Sequence, residues 1–326
     1  MSSQKLRDYV PALKYGAKIY PDDIAGLVGL PYVGNIFYID PSGGSDNNGG
    51  GAQNDALATV AGAYAKMTSG QNDIAIIVPT GGTGRTAETT AITWAKRFTH
   101  LIGNGVPTAQ DVRSGIGFST GGSLIISENG CLFKNVTLTS SADIDETVSV
   151  TGSYNSFLGV DFKGTSNATS ADSTPWRALN INGGQENYFG GCTLGSDTFT
   201  RGVANTTLEL ESAASRNVFE GCRFVMHADT AGTQTHVLLT GTNAIDRWIE
   251  FRDCSFYAFS TNDGQAVTGC MDLSAQSATG HVLVTGLPWL STPGITDWEA
   301  TASGRLQMQA FNTATATIGL SIHPTV

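Results

Sequence analysis

Carboxylates are the residues in this chain best suited to chemistry. Glycoside hydrolysis needs two carboxyl groups about 5–9.5 Å apart, one to protonate the leaving oxygen and one to act as nucleophile or base. Polar positions set between apolar ones supply Asp161, Glu209, Glu211, Glu220, Asp253 and Asp272. Glu220 and Asp253 stand one position apart in two copies of the same short motif, so a repeating fold would place them on neighbouring turns. They are the candidate catalytic pair, with Trp176 and Trp248 as candidates to stack on a sugar ring. A lyase would also want a basic residue and Ca²⁺, and Arg223 and Arg252 are the nearby bases. A solvated acidic face explains the same carboxylates without catalysis, because the formal net charge is −10.

Other strings carry less. Gly117-Phe-Ser119-Thr-Gly121 matches a nucleophile elbow, which needs a strand-to-helix turn. Here the next element reads as a strand, Ser123-Leu-Ile-Ile126. Pro79-Thr-Gly-Gly-Thr-Gly-Arg85-Thr86 lacks the Gly-Lys-Ser/Thr ending of a phosphate loop and reads as a turn. Asp40 and Asp46, in a Gly/Ser/Asn-rich loop, offer oxygens of the kind Ca²⁺ takes, but without EF-hand spacing. No metal and no cofactor is expected. The glycosylation strings at Asn135, Asn167 and Asn205 indicate only polar surface.

The elements that must position these residues repeat. Five segments fit F-x-[G/N/D]-[C/V]-x-[L/F], beginning at Phe133, Phe157, Phe189, Phe219 and Phe251, with a weaker copy, Val284-Thr-Gly-Leu287-Pro-Trp289. A second series, Val148-Ser-Val150, Leu179-Asn-Ile181, Leu208-Glu-Leu210, Val237-Leu-Leu239, Met271-Asp-Leu273 and Leu306-Gln-Met308, keeps a similar period. Alternate residues of a strand face one side, so each copy sends its apolar members inward. One such coil cannot close a core, whereas stacked coils about 4.8 Å apart pair their backbones and bury an apolar column. Each unit is expected to hold two strands, a turn and a variable loop. Cys192, Cys222 and Cys254 occupy the same rung on consecutive coils and read as small apolar fillers.

The composition agrees. Only 14 % of the 326 residues are charged, 40 are glycine and 40 % are hydrophobic, which suits an all-β chain with many tight turns. The acidic balance disfavours nucleic acid, and no apolar run approaches a membrane span. The opening MSSQKLRDYV has no apolar core of a signal peptide, so synthesis in a cytoplasm is expected. The expected organisation is an N-terminal arm over 1–33, a β-helix entry with a capping helix over 34–95, coils over 96–290 and C-terminal strands or a cap over 291–326. Lys5, Arg7, Lys14, Tyr15 and Lys18 are the candidate anchoring residues of the arm.

Ile36-Phe-Tyr-Ile39-Asp-Pro-Ser-Gly-Gly-Ser-Asp, a helix near Asp55–Met67, Asp73-Ile-Ala-Ile-Ile-Val78 and Phe98-Thr-His-Leu-Ile102 follow in an order that resembles the opening of pectate-lyase-like right-handed parallel β-helix proteins. The resemblance spans roughly residues 34–290 and concerns architecture. A short arm before such a helix looks like bacteriophage virion proteins: tail spikes, fibres and head decorations. This resemblance implies a homotrimer on a virion surface, contacting phage capsid or tail proteins and host surface polysaccharide. The leading expectation is a structural virion protein. A tail-spike depolymerase and a non-catalytic glycan-binding adhesin are the alternatives.

Overall fold

A computed structural model describes residues 34–81, 84–106, 108–228, 233–259, 267–276, 279–291, 294–310 and 320–322. The candidate anchoring residues Lys5, Arg7, Lys14, Tyr15 and Lys18 lie outside these. The chain is an all-β, right-handed parallel β-helix. Three sheets form its faces, termed A, B and C. Among the described residues face A has eleven strands, from Ile36–Ile39 to Leu320–Ile322, and faces B and C have eight each. The pairings are parallel except at the C-terminal edge of face A, where Leu306–Ala310 meets Leu320–Ile322 antiparallel.

Each coil runs from C to A to B. The F-x-[G/N/D]-[C/V]-x-[L/F] motif therefore straddles two sheets, and a coil holds three strands where two were expected. Its third residue is the corner. Asn135, Gly159, Gly191, Gly221, Asp253 and Gly286 all adopt φ between 52° and 73°. This left-handed geometry turns the chain from face A to face B in one residue. A Cβ built on Gly221 would meet nothing within 4 Å, so the backbone angle alone selects the residue type there.

Inside, like stacks on like. The rings of Phe133, Phe157, Phe189, Phe219 and Phe251 form one column, with successive centroids 5.3, 4.6, 4.3 and 5.1 Å apart. Cys192, Cys222 and Cys254 fill the corner beside it, each buried with Sγ against the carbonyl of Phe157, Phe189 or Phe219. At the C-to-A corner, Asn155, Asn187 and Asn217 form a buried polar column. The backbone N–H of Asn155 donates to Asn187 Oδ1 at 2.9 Å, and that of Asn187 to Asn217 Oδ1 at 2.9 Å. Each amide thus satisfies a corner N–H that the sheets leave open.

A helix, Val60–Lys66, covers the N-terminal end of the core with Val60 and Ala63, and Tyr64 packs on Trp94 at 4.6 Å. Thr59 caps it by accepting from Gly62 N, and Glu88 accepts from Val60 N at 2.8 Å.

Two readings of the repeat change. Leu306-Gln-Met308 belongs to face A, paired with Val282–Val284, and not to the series on face C. The weak sixth motif is one residue longer than the others, since Leu290 rather than Trp289 pairs with Phe256. The extra residue throws Leu287 out to 77 % exposure and leaves Trp289 half exposed.

Candidate functional site

Polar residues that alternate with the core residues cover the three outer faces. On face A, Tyr188, Val218 and Glu250 share one column and Gly190, Glu220 and Arg252 the next. Tyr188 lies across Gly190, where a Cβ would meet its ring at 2.8 Å, and its hydroxyl donates to Glu220 Oε2 at 3.0 Å. Arg252 Nη1 stands 3.7 Å from the same carboxylate. Arg252 also grips Glu250 with Nε at 3.2 Å and Nη2 at 2.9 Å, and the Thr285 hydroxyl donates to Glu250 Oε1 at 2.6 Å. Burial and then the neighbouring Glu220 hold the Tyr188 phenol above its usual pKa. The network runs along the helix axis and ties four coils together.

Of the proposed catalytic pair, Glu220 is on this face, whereas Asp253, also exposed, stands at the corner between faces A and B. Asp253 is the left-handed corner of its coil, and its Oδ1 accepts the backbone N–H of Leu287 on the next coil at 2.7 Å. The two carboxylates serve different contacts. Trp248 sits at the start of its strand on face A with 36 % exposure and can meet a ligand. Trp176 cannot: it is 3 % exposed, under the guanidinium of Arg201. Inside the B-to-C corner a large ring completes the core, which overrides its reading as a surface platform.

The loop after the first strand gives no calcium cradle. Asp40 accepts from Thr80 Oγ1 at 2.6 Å and Ser42 N at 3.0 Å. Burial would raise its pKa, but these bonds, led by that from Thr80, hold it below the usual value. Asp46 accepts from Ala58 N, Thr59 N and Thr59 Oγ1 at 2.9, 3.0 and 2.7 Å. Both carboxylates are turn-closing groups, and no group of three or more acidic, His or Cys side chains suited to a metal occurs among the described residues.

Face C joins Glu209 and Glu211, already candidates from the sequence, to Glu146, Arg177 and Asn180, which the sequence reading passed over. Asn180 Nδ2 donates to Glu146 Oε2 and to Glu211 Oε1, each at 2.9 Å, bridging carboxylates from coils on either side of its own. Glu209, 3 % exposed, is gripped by Arg177 and by the Thr240 hydroxyl. The signal was present: Asn180, Glu209 and Asp272 are middle residues of the second repeat series, hence one outward column.

On face B a strap of chain, residues 108–114, lies along the sheet. Thr137 Oγ1 donates to the Val112 carbonyl at 2.9 Å. Asp111 N donates to Asp161 Oδ2 at 2.5 Å. The Ala109 carbonyl accepts from Thr193 Oγ1 at 2.8 Å and Arg223 Nη1 at 3.1 Å. Asp161, read as an outward acid, is therefore covered and only 3 % exposed. Burial pushes its carboxyl up to about 7 against the pull of Lys163 and Arg85. Arg85 and Lys163 pair instead with Asp111.

No protein-family model matches the chain, and no curated protein matches its sequence. Solved structures do resemble it. A pectate lyase, Pel9A, superposes with a TM-score of 0.51 at 16 % identity over 78 % of this chain and 62 % of its own length, so the chain spans about three fifths of that enzyme. A pectin methylesterase variant in complex with a hexasaccharide gives a TM-score of 0.50 at 13 % identity over 80 % of both chains. An open-reading-frame product of a Geobacillus virus covers 94 % of this chain at 13 % identity, with a TM-score of 0.38. At these identities the likeness is one of fold, and the fold is that of the pectate-lyase-like parallel β-helices.

Proposed function

We propose that the chain is a structural protein of a bacteriophage-type virion surface, a rigid homotrimeric β-helix of the head-decoration or fibre kind that meets capsid or tail proteins. One observation carries this reading: the polar side chains of the outer faces bond along the axis, coil to coil. Glu220 with Tyr188, Glu250 with Thr285, Arg177 with Glu209 and Asn180 with its two glutamates all join residues 31 to 35 positions apart. Side chains so engaged stiffen a rod. They lack the freedom of an acid that must gain and lose a proton at each turnover. Light scattering on the purified chain should give three times its 34.1 kDa. Antibody to the chain should label the surface of virions assembled in its host. A monomer that labels no particle would overturn the proposal.

One observation favours an enzyme instead, a glycan hydrolase of the tail-spike kind. Glu146 and Glu211 approach one amide nitrogen from both sides, and both are partly exposed. That arrangement suits the two-carboxylate chemistry better than Glu220 and Asp253 do. Sugar release from host polysaccharide that disappears in both Glu146→Gln and Glu211→Gln, but survives Glu220→Gln, would establish this alternative. Binding without release, weakened by Trp248→Ala, would instead mark a glycan adhesin.

A further inference from the structure

The corner between faces B and C holds a charge that no Asp or Glu among the described residues balances. Arg201 ends the strand Thr193–Arg201 and is 1 % exposed. Its Nε donates to Asn205 Oδ1 at 2.6 Å, Nη1 to Thr207 Oγ1 at 2.9 Å and Nη2 to the Thr235 carbonyl at 3.2 Å. The guanidinium carbon lies 4.7 Å from the Trp176 ring centroid. Every one of these partners is neutral. Arg201 forms no ion pair with an Asp or Glu among the described residues. His236 is buried beside it and is kept uncharged first by burial and then by the Arg201 charge.

Unsatisfied donors point the same way. Three of the five guanidinium N–H groups are used. Trp176 is 3 % exposed, and its Nε1–H has no partner among the described residues. Since the guanidinium occupies the face of the indole, the N–H at the ring edge stays open. Gln234 Nε2 donates to the Arg201 carbonyl at 2.7 Å.

Burial lowers the Arg201 pKa to about 9, which still leaves it cationic at neutral pH. A buried charge without a counter-charge costs several kcal/mol, and this one cannot escape by releasing its proton. We infer that the corner binds a small inorganic monovalent anion of the halide class, held by the free N–H groups of Arg201 and by the indole N–H of Trp176. The near-complete burial of both side chains excludes a sugar or a polymer-borne carboxylate. The site is independent of the virion reading and of the glutamates of face C.

Bromide tests it on the full chain. Crystals soaked in sodium bromide should show an anomalous peak in contact with the Arg201 guanidinium and Trp176 Nε1. In solution the melting temperature should rise by about 2 °C for each tenfold increase in chloride above its dissociation constant, at constant ionic strength held with gluconate. Arg201→Met should abolish both signals. Trp176→Phe, which removes only the N–H, should weaken both and serves if the arginine variant does not fold. Wild-type crystals without the peak, together with identical melting in the two salts, would overturn the inference.

Discussion

The A-to-B and B-to-C corners perform the same task, yet the first is nearly identical in every coil and the second differs from coil to coil. At A-to-B one left-handed residue turns the chain, a Cys or Val follows it inward, and the phenylalanine column stands behind. At B-to-C the coils insert a four-residue helix, Ala168–Ala171, in one place and a bulged strand ending in a buried arginine in another. Stacking explains the contrast. A corner with no slack must repeat, because each coil is the template for the next. A corner with slack can accept any insertion that satisfies its own backbone. Regularity therefore marks where the molecule gets its stiffness, and irregularity marks where it can hold ligands.

The most damaging change should fall in the regular region. Phe189 is stacked on both sides, on Phe157 and Phe219, and is fully buried. Phe189→Ala should cost about 3–5 kcal/mol, through lost transfer energy and an unfilled cavity, as read by urea unfolding. A loss below about 1 kcal/mol would show that neighbouring coils can close over the gap, and the claim of a rigid column would fail.

The strap on face B belongs to the irregular class and should respond to pH. Asp161 has its folded-state pKa raised to about 7, so between the unfolded value and 7 the folded chain holds a proton that the unfolded chain has lost. Its contribution to stability is greatest below the unfolded pKa and declines as pH rises through 7. Replacement by a neutral isostere removes that slope. The stability of wild type relative to Asp161→Asn should therefore fall between about pH 4 and 8, by on the order of a few kcal/mol. Hydrogen exchange of residues 108–114 should quicken over the same range in the wild type. A flat difference curve would mean that Lys163 and Arg85 fully compensate the burial.

The same contrast decides what the sequence makes legible. The regular corner shows itself, since Phe, Gly and Cys recur in fixed order and only one architecture stacks them. The split of each motif between two sheets is less visible, because a single left-handed residue leaves no gap in the pattern; Asn135 and Asp253 in the glycine position are its trace. Asp253 is outward, as read, but its place at the left-handed corner was missed for this reason. Trp176 and Asp161 were misread because burial at the irregular corner and under the strap depends on segments far away in sequence. The strap alone reaches 114 positions, from Ala109 to Arg223. Arg201 gave no signal, since it follows a bulge that moves it out of register.

A smaller effect tests the corner rule itself. Gly221 has φ of 61° and open space around its missing Cβ. Gly221→Val should cost about 1–2 kcal/mol, the price of a β-branched residue in the left-handed region. Gly221→Asn should cost less, since Asn135 occupies the equivalent corner. Equal losses would mean that the corner excludes side chains by contact and not by backbone angle.

The least perturbing change probes the outer face. Glu220 accepts from Tyr188 and stands 3.7 Å from Arg252, with both members of the ion pair about 40 % exposed. Glu220→Gln keeps an acceptor for the phenol and removes only the charge. Exposed pairs of this kind are screened and hold two long side chains in place at an entropic cost, so the loss should stay below about 1 kcal/mol. The Tyr188 phenol reports on the contact more sharply than stability does. Glu220 contributes to holding its pKa up, so ultraviolet titration of the variant should show Tyr188 ionising at lower pH than in the wild type. An unchanged titration would mean that burial alone sets Tyr188 and that the axial network on face A is not formed in solution. In that case the outer carboxylates would be free, and the structural reading would lose the contact pattern on which it rests.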